Sequence, residues 1–322
     1  DVALLVVAAG AFEAFEEELL AELRAREIPT VIVFNQRDRG EPEPALLARL
    51  TAEGLVCVST VAHRGEGVLD LREALVRAAP AELLETPTLA SDLVPPGELA
   101  VLVVPIDKEA PKGRLILPQV QTIRDLLDAN AYCMVVRERE LGDALDRLRR
   151  PPALVVTDSQ AFLKVAGDTP PEIPLTSFSI LFARLKGDLV AFTEGAFAID
   201  SLREGSRVLV AEACTHHPIS EDIGTVKIPR WLTQYVGGRL EFAHVQGHDF
   251  PEDPSGYDLV VHCGACTQNR REVISRIARC QRRGVPITNY GVCIAFSLGI
   301  LERALRPFPG AHAQYQARRG SG

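Results

Sequence analysis

The sequence predicts an α/β protein made of three successive segments, the first of them built on a parallel sheet. Three observations carry this reading. Short apolar, β-branched runs alternate with stretches of helical periodicity along the chain. Pro80, Pro87, Pro95 and Pro96 gather before Gly97, between the first and second segments. Residues able to do chemistry collect just past the carboxyl ends of the expected strands, where open α/β sheets place their ligands.

In residues 1–80, strands are expected at Val2–Ala8, Thr30–Phe34 and Leu55–Ser59, with helices at Glu13–Arg26, Ala45–Glu53 and Val68–Ala79. Strands alternating with helices imply crossovers and parallel pairing. Residues 81–98 hold Pro87, Pro95, Pro96 and Gly97, a linker composition. A second small α/β unit, residues 99–185, reads as strand Leu99–Val104, helix Val120–Ala129, strand Tyr132–Val136, helix Leu141–Arg149 and strand Ala153–Thr157. The third segment, 186–322, carries strands at Arg207–Ala211, Leu240–His244, Tyr257–Val261 and Val285–Asn289. Its helices are expected at Pro229–Tyr235, Asn269–Arg282 and Ile294–Leu305, and Ala317–Gly322 is expected to fray.

At 322 residues and 47% apolar composition, the chain is long enough for two or three cores. Its 35 Lys and Arg against 43 Asp and Glu give a net charge of −8, which argues against nucleic acid as the main partner. The longest apolar runs, such as Val2–Phe12, fall short of the roughly 20 residues that span a membrane, so no membrane association is expected. The chain opens on Asp1 directly before an apolar strand, without a cationic leader, and reads as a piece of something longer. Seven cysteines, an odd number without a secretory signal, argue for a reducing, cytoplasmic setting and for metal or redox chemistry rather than disulfides. No Ser-His-Asp arrangement, paired-carboxylate site or dinucleotide fingerprint stands out.

The first candidate site follows strand Thr30–Phe34, at Asn35-Gln36-Arg37-Asp38. A carboxylate there can accept two hydrogen bonds from the N1–H and amino group of guanine, and adenine presents the opposite polarity. Asn35 would brace the loop, and Ser59 and Thr60 would offer backbone to the base carbonyl. The ordinary alternative is turn and capping chemistry. Together these residues resemble the fourth and fifth motifs of translation-factor-like GTPases, with Gln36 where that family usually has Lys. The chain contains no phosphate-binding G-x-x-x-x-G-K-[ST] and no Gly-Lys dipeptide. The phosphate loop and switches are therefore expected upstream of Asp1, and this chain is not expected to hydrolyse GTP.

The second candidate site is denser. Strand Arg207–Ala211 runs into Cys214-Thr215-His216-His217, and strand Tyr257–Val261 runs into His262-Cys263-Gly264-Ala265-Cys266. Cys-x-x-Cys aims two sulfurs at one centre, Cys-x-His adds two further donors, and parallel pairing of the strands would bring both loops to one sheet edge. Three readings stand side by side: a structural Cys3His zinc site, an iron–sulfur cluster with three cysteines and one other ligand, and cysteines that are simply buried. Asn269 reads as the N-cap of the next helix. Lys227, Arg230, Arg270 and Arg271 could offset anionic charge or be plain solvated surface. His217, His244 and His248 read as supporting residues, and Cys57, Cys133, Cys280 and Cys293 as small core hydrophobes.

Cys-x-His and His-Cys-x-x-Cys, with 45 residues between His216 and His262, resemble the signature of the HydF family, maturation GTPases of iron-only (FeFe) hydrogenases. Val156-Thr-Asp-Ser-Gln160, Ser177-Phe-Ser-Ile-Leu-Phe-Ala-Arg184 and Pro286-Ile-Thr-Asn-Tyr-Gly291 agree with it, so the resemblance spans essentially the whole chain. It implies the rear part of a P-loop GTPase-like domain (1–80), a linker (81–98), a small α/β dimerisation domain (99–185) and a Rossmann-like α/β cluster-binding domain (186–322). It also implies a 4Fe–4S cluster on Cys214, Cys263 and Cys266, with His262 or His216 as candidate fourth ligand. The implied function is a homodimeric or homotetrameric scaffold. It would receive a two-iron carbonyl, cyanide and dithiolate precursor from radical-SAM maturases and pass it to apo-hydrogenase, with GTP and magnesium belonging to the full-length parent. The competing class is a zinc-stabilised interaction module of a regulatory GTPase.

Overall fold

The structure, a computed structural model, describes residues 2–78, 88–106, 114–213, 222–247 and 249–320. They form two compact units, Asp1–Pro87 and Thr88–Gly322.

The first unit runs β1 (Ala3–Ala8), α1 (Ala14–Ala25), β2 (Thr30–Asn35), α2 (Pro44–Ala52), β3 (Val56–Ser59) and α3 (Val68–Ala78). Its strands pair in parallel in the order β1-β2-β3. Ile32 and Phe34 pack under Leu20 and Leu50, while Val31 and Val33 pack with Val58 and Ala74 on the other face. Burial on both faces is why β2 is an unbroken apolar run rather than an alternating one.

The second unit begins with packed chain rather than linker. Leu89, Ala90 and Val94 are buried, and the amides of Ala90 and Ser91 both donate to Asp125 Oδ2 at 2.7 Å. Asp92 takes a two-pronged 2.7 Å contact from Arg184. From there run β4 (Leu99–Val103), α4 (Leu117–Asp128), β5 (Tyr132–Val136), α5 (Leu141–Asp146), β6 (Leu154–Thr157), α6 (Phe162–Asp168), β7 (Leu175–Ser177) and α7 (Phe178–Lys186). This sheet is fully parallel, ordered β5-β4-β6-β7. The sequence reading passed over β7, which is three residues long and follows Pro170, Pro171 and Pro174, too short to show a period.

The chain continues through α8 (Leu189–Ala196), β8 (Arg207–Glu212), a π-turn (Ile223–Lys227), α9 (Ile228–Val236), β9 (Glu241–Gln246), β10 (Leu259–His262), α10 (Arg270–Arg282), β11 (Ile287–Asn289), α11 (Tyr290–Ser297), α12 (Leu301–Leu305) and α13 (Pro309–Arg319). The strands order as β9-β8-β10-β11, again all parallel. From β8 the chain crosses first to one side, making β9, and then to the other, making β10. The switch point of this sheet therefore lies between the carboxyl ends of β8 and β10. One apolar core runs through both sheets of this unit.

Two helical expectations change in detail. The helix expected at Ile294–Leu305 starts earlier, because the Asn289 side chain accepts from the Gly291 amide at 2.8 Å, and it breaks near Gly299, whose φ is +71°. The tail does not fray at Ala317: α13 continues to Arg319, whose guanidinium lies 5.5 Å from the Phe296 ring centroid and 5.8 Å from that of Phe197.

Candidate functional site

In the first unit, Asn35 closes β2 and its Oδ1 accepts from the Thr60 hydroxyl at 3.0 Å and the Ala62 amide at 3.1 Å. Backbone bonds from Thr60 to Phe34 and from Arg37 to Thr60, at 2.9 and 3.2 Å, tie the two strand-end loops together. Gln36 takes φ +60°, turning the chain toward Asp38. Asp38 keeps 21% of its side chain exposed, with Arg64 and His63 nitrogens at 3.8 and 3.9 Å. Gly67 (φ +76°) lies against Ser59, where a Cβ would collide with the Ser59 carbonyl. Asn35, Asp38, Ser59 and Thr60 thus share one sheet edge, with Asn35 as the brace.

In the second unit, the loop after β10 is held at every polar atom of Cys263. Its amide donates to Ala211 O at 2.9 Å, extending the β8–β10 ladder by one residue. Its Sγ accepts from the Ala213 amide at 3.0 Å and the Ala265 amide at 3.4 Å. Its carbonyl accepts from Asn289 Nδ2 at 3.3 Å and lies 2.8 Å from His262 Nδ1. Ala265 adopts φ +50°, a left-handed conformation that folds the Cys-x-x-Cys loop back on itself. Cys266 is half-buried; burial pushes its thiol up, and Lys186 acts against that shift.

Cys214, His216, His217 and His248 lie outside the described residues. Ala213, the covalent neighbour of Cys214, is described and is fixed from both sides. Its amide reaches the Cys263 sulfur, and its carbonyl accepts from Gln268 Nε2 at 2.7 Å.

His262 is fully buried, and burial pushes its imidazole down to about 4. Its Nε2 lies 3.2 Å from Arg276 Nη1. Arg276 is itself fully buried, with Nε donating to Glu272 at 3.0 Å, Nη2 to Gly247 O at 2.6 Å, and its guanidinium 5.1 Å from the Phe250 ring centroid. On the β8 side, buried Glu212 accepts from Tyr290 at 3.2 Å and from Gln246 at 2.9 Å. Burial holds the Tyr290 hydroxyl well above its ordinary range, and the nearby Cys263 and Glu212 add to this.

Of the expected cations, Arg270 is occupied by the carbonyls of Arg184, Leu185 and Gly187. Lys227 bonds Gln160, which follows β6, and so joins the carboxyl edges of the two sheets. His244 Nε2 lies 3.2 Å from Gly224 O, a structural role. Cys280 and Cys293 are buried; Cys57 and Cys133 are only half-buried. Asn269 caps α10 as expected, accepting from the Glu272 amide at 2.9 Å.

The sequence reading missed Gln268, Asn289 and Arg276. A signal existed for Arg276: it stands on the apolar stripe of α10 with Val273, Ile277 and Cys280, where a solvated arginine does not belong. Among the described residues no group of three or more His, Cys, Asp or Glu forms a metal-holding cluster. The described donors nevertheless suit a thiolate-bound group: two sulfurs on one loop, and two backbone N–H groups already aimed at one of them.

Fold and site together define an α/β protein with two parallel-sheet domains in one unit and a cysteine loop at the switch point of the second sheet. Two family models match this unit: the hydrogen maturase F dimerization domain over residues 89–187, and the hydrogen maturase F tetramerization domain over residues 190–307. Together they cover about two thirds of the chain, which belongs to the hydrogen maturase F (HydF) family. Both matched regions are oligomerisation domains, and the family carries a role in hydrogenase maturation. No curated protein matches the chain. A solved structure titled "Crystal structure of LpCGTa in complex with UDP" aligns over 99% of this chain and 94% of that one, at 9% identity and a TM-score of 0.20, too low to carry any argument. Among the described residues no helix is long and apolar enough to cross a membrane.

Proposed function

We propose that the chain acts in hydrogenase maturation as a scaffold and carrier. A 4Fe–4S cluster is held by Cys214, Cys263 and Cys266, with His216 or His262 as candidate for the fourth position. The observation that carries this reading is the 3.0 Å bond from Ala213 N–H to Cys263 Sγ, which joins the two cysteine-bearing strand ends. The cluster supplies a soft, anionic iron core to which a metal cargo attaches. The protein's own residues do the rest. Backbone amides of Ala213 and Ala265 donate to Cys263 Sγ and orient it, Gln268 fixes Ala213, and Asn289 fixes the Cys263 carbonyl.

The cargo in this reading is the two-iron carbonyl, cyanide and dithiolate precursor. It is received from radical-SAM maturases and handed to apo-hydrogenase in the cytoplasm by a homodimeric or homotetrameric assembly. Asn35, Asp38, Ser59 and Thr60 form the base-recognising half of a guanine pocket. Anaerobic reconstitution with iron and sulfide tests the centre. Brown protein with about four irons per chain supports the cluster, whereas colourless protein with one tight zinc replaces the scaffold reading by a zinc-stabilised interaction module.

A further inference from the structure

The two nitrogens of His262 face groups of fixed polarity. A guanidinium only donates, so Arg276 Nη1 makes Nε2 an acceptor. A backbone carbonyl only accepts, so the oxygen of Cys263 makes Nδ1 the N–H donor. Donor logic on both sides selects one neutral tautomer and leaves no lone pair for a metal. Asn289 Nδ2 supports the same carbonyl. Arg276 in turn is not adjustable: it is fully buried and is held by Glu272, the Gly247 carbonyl and the Phe250 ring.

We propose that Arg276 is a positioning residue for the Cys263 thiolate: it locks His262 as the Nδ1–H tautomer, so that His262 clamps the Cys263 carbonyl instead of ligating metal. The inference deepens the cluster reading given above by narrowing its two candidates for the fourth position to His216, and rests on it for its consequence, though the tautomer itself is a property of the apo chain. The permanent charge of Arg276 lies one imidazole away from the ligand loop. Its guanidinium, paired with Glu272 at 3.0 Å but with Nη1 turned to His262, would favour the more negative, reduced form of a cluster held on that loop over a variant that leaves Glu272 unpaired.

Two measurements separate the tautomer lock from the cluster reading. In apo chain labelled with 15N-histidine, long-range 1H–15N correlation spectra, with His262 assigned by its loss in His262→Gln, should show a pyrrole-type Nδ1 and a pyridine-type Nε2. In Arg276→Met only the Cys263 carbonyl still favours Nδ1–H, so the Nε2–H form should gain population over wild type, while Arg276→Lys, which keeps a buried donor, retains the wild-type pattern. An Nε2–H tautomer in the wild-type chain overturns the proposal, whether or not any cluster binds. In reconstituted protein, His262→Gln should keep its iron and leave the nitrogen couplings in the electron-spin-echo spectrum of the reduced cluster unchanged. Arg276→Met should lower the cluster's reduction potential relative to Arg276→Lys. A strong nitrogen coupling that vanishes in His262→Gln identifies His262 as a ligand and sinks the inference. Failure of wild-type chain to take up iron removes the cluster reading and leaves the apo spectra to decide the lock.

Discussion

The amide of Ala213 donates to the sulfur of Cys263 across 50 residues of sequence, at 3.0 Å. Parallel pairing of β8 with β10 makes this contact, since Ala211 lies opposite His262 in the ladder. Two strand ends that look unrelated in the chain thereby share one edge, and the predictions about the centre follow from that edge.

Gln268 fixes Ala213 through a 2.7 Å bond to its carbonyl without being a ligand itself. Removing such an outer support typically costs 10–100-fold in metal affinity. Reconstituted Gln268→Ala should therefore lose iron to a chelator about tenfold faster than wild type. Equal release rates would mean that Ala213 is held well enough without it.

Gly195 in α8 sits directly on β11, where a Cβ would overlap the Ile287 carbonyl. Gly195→Ala cannot be relieved by a side-chain rotation, because the obstacle is backbone. A loss of about 3 kcal/mol is expected in urea unfolding, at the upper end of the usual overpacking range. Gly142→Ala, which meets nothing nearby, serves as the control.

Arg303 in α12 donates to the carbonyls of Ala166, Thr169 and Pro170, at 2.6, 2.6 and 2.8 Å, where α6 ends. A cation at a helix C-terminus satisfies carbonyls that have no helical partner. Arg303→Met should cost about 2 kcal/mol, as expected for hydrogen bonds made by a charged group, measurable by the same unfolding experiment.

Burial pushes the thiols of Cys280 and Cys293 up to about 12, from 9.0. The folded state then binds these protons more tightly than the unfolded state. This contribution to stability is full below about pH 9 and declines as pH rises toward 12. Denaturant midpoints should fall between pH 8 and pH 10, and the fall should shrink in Cys293→Ala. Native iodoacetamide labelling at pH 8, read by mass spectrometry, should modify the half-buried Cys263 while sparing Cys293. Equal labelling of the two would contradict the burial.

Much of this was legible before folding. Thr30–Phe34 and Arg207–Ala211 announce strands by their unbroken apolar runs, and the structure places both inside their sheets, buried on both faces. Cys263 and Cys266 announce a tight loop past a strand end, and Ala265 with φ +50° makes that loop. His262 shows the limit. A histidine beside Cys-x-x-Cys reads as a ligand in one dimension, yet here both its nitrogens are engaged by groups from β10's own end and from α10.

By itself the sequence determined three successive α/β segments and the stretches that become their main strands, since hydrophobic period is a local property, while the parallel order of the sheets came with the structure. Only the tertiary structure decided that Ala213 meets Cys263 and that Arg276 is buried against His262. Both depend on β10 inserting beside β8 with α10 packed over it, and such long-range pairing is set by the whole core rather than by any one stretch of chain.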